Sequence, residues 1–175
     1  MFYFVSEFGT LLLCGLDSIE TSHSLAISLF FWGLGGFVGS SFVGFWIDFT
    51  KKPQAVMAFI LVGLMLAIIT IPITKDLPYF GLLSYFMWGV FGWAMPTPQQ
   101  HILFQICESQ KAILSALNSS AIGLGSSIGT AIGGAIIARG FNVADLPYLS
   151  AFLLIFVFFC QLMLINRSKL RSLLV

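Results

Sequence analysis

Residues 54–73 read Gln54-Ala-Val-Met-Ala-Phe-Ile-Leu-Val-Gly-Leu-Met-Leu-Ala-Ile-Ile-Thr-Ile-Pro-Ile73, twenty positions without one charged side chain. An α-helix needs about 20 apolar residues to cross roughly 30 Å of hydrocarbon, so this stretch is long enough to span a bilayer. The pattern repeats outward in both directions, with apolar runs at 1–16, 24–47, 79–104, 112–138 and 146–166 joined by short polar hinges. Five of the six runs reach spanning length, and the run at 1–16 falls short of it. The expected fold is an all-α membrane protein, a single domain over residues 1–175 built as a six-helix transmembrane bundle with its first helix truncated.

Composition agrees. The chain of 175 residues is 58% hydrophobic and 9% charged, with a mean hydropathy of +0.99. A soluble domain of this size has too much surface facing water to hide that much apolar matter. A formal net charge of +1 supplies no basic field for nucleic acid. Cys14, Cys107 and Cys160 lie far apart in or beside apolar runs, with neither metal-ligand spacing nor a disulfide framework. No Gly-rich phosphate loop, Ser/His/Asp set or metal-ligand cluster stands in the sequence, so no enzyme, cofactor or metal is expected. No Lys or Arg precedes Lys51, which leaves the first run without the positive segment of a signal peptide.

Lys and Arg in the hinges set orientation. The hinge at 17–23 has none, 48–53 carries Lys51 and Lys52, and 74–78, 105–111 and 139–145 carry one each. The tail beyond Asn166 holds Arg167, Lys169 and Arg171, so alternate sides carry six positive charges against two. This places the Lys51 hinge and the C-terminus in the cytoplasm of a multi-pass cell-membrane protein. Ser109 and Asp145 are candidate helix N-caps, and Pro53 and Pro78 stand near helix starts.

Small residues recur at helical spacing. Gly35 and Gly39 share one face of the second run, and Ala121, Gly125, Gly129 and Gly133 form a ridge along the fifth. Lipid supplies no hydrophobic force between helices, so close backbone approach along such ridges holds them together. The same smooth faces also suit helices that tilt against neighbours in a rocking transporter. Spacing alone does not separate the two.

Three stretches carry a family resemblance. Gly44-Phe-Trp-Ile-Asp-Phe-Thr-Lys-Lys52 resembles the cytoplasmic loop motif of the major facilitator superfamily, with Gly44, Asp48, Lys51 and Lys52 matching. Phe49 stands where the family usually has Arg, and Lys51 stands where Gly is common. Trp88-Gly-Val-Phe-Gly-Trp-Ala-Met-Pro-Thr-Pro-Gln-Gln-His101 and Ser115-Ala-Leu-Asn-Ser-Ser-Ala-Ile-Gly-Leu-Gly-Ser-Ser-Ile-Gly-Thr-Ala-Ile-Gly-Gly134 resemble helices ten and eleven of drug–proton antiporters of the arabinose-efflux-permease type. The resemblance implies the C-terminal half of a twelve-helix secondary transporter, cut inside its helix seven. Such a protein exports a small organic solute (sugar, nucleoside or drug) in exchange for protons. Its partners are the lipid bilayer and either a missing N-terminal half or a second copy of itself. A non-transporting remnant and a small membrane scaffold are the alternatives.

Polar residues inside the runs supply candidate sites. Glu7 lies about nine residues before the outer end of its run, ~14 Å deep at helical rise, where a carboxyl is a candidate proton carrier. Asn118, Gln99 and Gln100 are candidates for the solute cavity, Asn118 by resemblance as well as by its place in a span; the alternative for Asn118, and the commoner role of such side chains, is stitching of neighbouring helices. Pro96 and Pro98 are expected to kink the fourth run. The resemblance makes Gly44, Asp48, Lys51 and Lys52 an inner gate, where the Asp faces the positive end of a helix in the opposite half. Single cysteines introduced at Lys52 and Ser172 should react with an impermeant maleimide from the same face of the membrane; labelling from opposite faces contradicts this topology.

Overall fold

The computed structural model describes residues 22–74, 78–106, 108–141 and 146–172. They form α1 (Ser22–Thr50), α2 (Pro53–Thr74), α3 (Pro78–Ala94), α4 (Pro96–Ile106), a 3₁₀ turn (Glu108–Gln110), α5 (Lys111–Ala138) and α6 (Leu146–Ser172). No strand occurs among the described residues. Stretches Ala26–Thr50, Pro53–Thr74 and Lys111–Ala138 are each long and apolar enough to cross a membrane. The fourth crossing is shared by α3 and α4, and the fifth is α6, apolar over Tyr148–Met163. The count of six is therefore corrected to five among the described residues. The run at 1–16 and its Glu7 lie outside them.

Proline chemistry explains the broken fourth crossing. Pro96 and Pro98 have no N–H to offer the carbonyls four residues earlier, at Gly92 and Ala94, and their rings crowd the preceding turn. The helix stops at Ala94, turns at Met95 and restarts at Pro96. Pro53 and Pro78 each open a helix, where a missing N–H costs nothing.

Helix ends follow familiar capping physics with two departures. α5 closes on Gly140 at φ +86°, whose N–H reaches the Ile137 carbonyl at 2.9 Å while that of Phe141 reaches Ile136 at 3.4 Å. This is a Schellman closure, which glycine permits without strain. α1 closes in the left-handed conformation as well, but on Lys51, at φ 52°, with its N–H on the Ile47 carbonyl at 2.8 Å. Ser109 does not cap α5: it lies inside the 3₁₀ turn, and the capping position belongs to Gln110, whose side chain makes no cap hydrogen bond. Asp145 lies outside the described residues.

α3 is the centre of the bundle, packed along α1 on one side and α2 on another, with α6 against the far face of α2. The core is apolar and dense: Ile60, Leu61 and Leu64 of α2 meet Trp88 of α3 and Leu154 of α6, all buried. At one end, Thr74 Oγ1 and Ser84 Oγ share a 2.9 Å hydrogen bond that ties α2 to α3.

The α1–α3 seam is a backbone contact. A Cβ at Gly35 would overlap the Phe86 carbonyl oxygen, one at Gly39 that of Val90, and one at Gly89 that of Trp32. Beside them Trp32 packs at a tilt against Trp88 and edge-to-face against Trp93, with ring centroids 5.5 and 5.7 Å apart. Outward, Phe30 and Phe37 of α1 and Phe152 and Phe159 of α6 are exposed, as lipid-facing side chains are. α5 is the least enclosed crossing, with 11% of its most apolar window buried. Gly39→Ala should lower the thermal midpoint in detergent by several degrees, whereas Gly123→Ala, with open space around it, should leave or raise it through the ~1 kcal/mol gain in helix propensity. Equal effects would show that the seam is not close-packed.

Candidate functional site

α4, the 3₁₀ turn and α5 form an antiparallel hairpin, and its register decides which polar groups meet. Gln99 lies in the first turn of α4 and Asn118 seven residues past Lys111, ~10 Å along α5. Each stands about equally far from the turn, so the two amides face one another across the hairpin. Gln99 Nε2 donates to Asn118 Oδ1 at 2.9 Å. Asn118 is 5% exposed, Gln99 and Gln100 are half-buried, and His101 is exposed.

The pair is only half satisfied. Asn118 Nδ2 is buried and has no acceptor, and Trp88 Nε1 is in the same condition. A buried donor left unpaired costs about 1–3 kcal/mol, so the Asn118 amide presents unspent capacity to donate to a hydroxyl or carbonyl oxygen. The buried polar side chains among the described residues are Ser28, Ser84, Asn118, Ser150 and Gln161, every one neutral.

The other candidate residues lie elsewhere. Gly44 is half-buried with open space beside it, and Asp48, Lys51 and Lys52 are exposed at the end of α1. Gly35 and Gly39 line the α1–α3 seam; Gly129 and Gly133 are buried on α5 and Gly125 is half-buried. Asn118 shares the inward face of α5 with these three glycines, since seven, eleven and fifteen residues return to nearly the same side of a helix. Cys160 is exposed on α6, and Cys14 and Cys107 lie outside the described residues.

Sequence reading missed Gly36, Gly89 and the three tryptophans as one junction. A Cβ at Gly36 would run into the Trp93 indole ring. The only signal was Gly89 and Gly92 between Trp88 and Trp93, too few small residues to define a ridge. The left-handed Lys51 also explains why glycine is common at that point of the motif it resembles: only glycine takes that conformation freely.

No family model matches the chain, and no solved structure matches it. Two curated proteins do, both called inner membrane transport protein YdhP, from Escherichia coli strain K12 and from E. coli O157:H7. Each is 25% identical over 119 residues, a stretch that takes in 68% of this chain and 30% of the relative. The chain thus matches less than a third of the relative's length. With the apolar helices, this likeness supports a multi-pass inner-membrane protein.

The amide pair can be tested directly. Gln99→Leu strands the Asn118 amide and should lower the unfolding midpoint in detergent, while Gln99→Leu with Asn118→Leu should recover most of the loss. Strictly additive losses would show that the two side chains do not depend on each other.

Proposed function

We propose that this chain is the C-terminal half of a secondary active transporter that couples efflux of a small organic solute, a sugar, nucleoside or drug, to proton entry. The observation that carries the reading is the Gln99–Asn118 pair, in which the buried Asn118 amide has a donor to spare. A purely structural clamp would be more stable with both amides satisfied or both absent. Likeness to a protein named for membrane transport adds support.

In this reading Asn118, Gln99 and Gln100 contact the solute near the break between α3 and α4, and interrupted helices are a recurrent setting for transporter sites. Glu7 carries the proton. Gly44, Asp48, Lys51 and Lys52 act as the inner gate, with Asp48 facing a helix end of the complementary half. The small-residue faces at Gly35 and Gly39 and at Gly125, Gly129 and Gly133 let helices stay close as the halves rock. The second wall of the pathway comes from an N-terminal half or a second copy.

The test is flux. Proteoliposomes holding the chain with its complementary half should move one of three labelled classes, sugars, nucleosides or cationic drugs, under an imposed pH gradient. Asn118→Ala should weaken apparent affinity about tenfold, the value of one buried hydrogen bond. Glu7→Gln should remove the dependence on the gradient. Absence of gradient-driven flux for all three classes overturns the proposal.

A further inference from the structure

Among the described residues, six Lys and Arg residues fall at one end of the bundle. Lys51 and Lys52 occupy the α1–α2 hinge, Lys111 opens α5, and Arg167, Lys169 and Arg171 ride on the last turns of α6. Successive crossings run in opposite directions and α6 lies against α2, so the end of α6 comes beside the Lys51 hinge. Among the described residues the acidic residues at this end are Asp48 and Glu108, which leaves a positive excess.

An exposed aromatic stripe leads into that charge. Phe42, Phe45 and Phe49 are 67%, 73% and 79% exposed, and Trp46 beside them is 37% exposed. At 3.6 residues per turn these four share a sector of about 100°, with Asp48 outside it. Phe59 of α2 extends the stripe, its ring edge-to-face with Trp46 at 4.8 Å. Lys51 and Lys52, both exposed, stand immediately past the last aromatic. Lys51 also holds a left-handed backbone that glycine adopts more readily, so a cation is kept here against local strain.

We infer that this end of the bundle binds an anionic phospholipid, its phosphate headgroup against Lys51 and Lys52 and its acyl chains along Phe42, Phe45, Trp46 and Phe49. Charge complementarity selects the headgroup, because basic residues at a membrane surface attract anionic lipid. The aromatic stripe selects a lipid over free phosphate, since only an acyl chain has apolar surface to place there. The inference is independent of transport.

Thermal unfolding and native mass spectrometry of the detergent-purified full chain, titrated with phosphatidylglycerol, phosphatidylcholine or inorganic phosphate, test it. Phosphatidylglycerol should bind and stabilise at least fivefold more strongly than phosphatidylcholine, and phosphate should do neither. Lys51→Gln with Lys52→Gln should bring phosphatidylglycerol down to the phosphatidylcholine level. Lys51→Gly should raise the midpoint in detergent alone, by relieving the backbone, yet shrink the increment from phosphatidylglycerol. Equal response to the two lipids, an equal response to phosphate, or an undiminished increment in the double variant each overturns the inference.

Discussion

In hydrocarbon, apolar side chains gain nothing by leaving lipid for one another, so a membrane bundle is held by how closely its backbones approach. Here that approach is made between α1 and α3, where Gly35, Gly39 and Gly89 bring carbonyl oxygens of the opposite helix into the space a side chain would fill. The tryptophans at 32, 88 and 93 close around the same seam. With α3 fixed, α2 packs onto it and α6 onto α2, and the descent of α3 to its proline break sets where α4 begins.

That break is what brings two side-chain amides opposite each other. A continuous helix through 95–98 would keep every interior carbonyl paired; Pro96 and Pro98, two positions apart, release two of them, and the helix restarts in a new turn. Gln99 falls in that first turn, opposite Asn118 on the returning helix. The site is therefore a by-product of hairpin register as much as of residue choice. α5, which carries Asn118, is also the crossing least enclosed by its neighbours.

The end of α1 shows a different compromise. A lysine closes the helix where glycine would be easier, and it does so at the mouth of an aromatic stripe and beside the basic end of α6. Local backbone preference and surface charge pull in opposite directions at this residue, and charge has been kept.

Most of the architecture could be read without coordinates. Uninterrupted apolar length marks the long helices, and Pro53, Pro78 and Pro96 mark helix starts and the break, because each rule depends only on local chemistry. The ridge at Gly35 and Gly39 was legible as a ridge, but its partner was not, since nothing in the spacing says that Gly89 and a carbonyl of Trp32 lie across from it. The capping expected of Ser109 failed because a 3₁₀ turn took up that residue first. The meeting of Gln99 with Asn118, the stranded donor that results, and the left-handed turn at Lys51 were decided by tertiary structure alone: each depends on the register between helices or the angle at which one ends, and residue order fixes neither until the helices have packed.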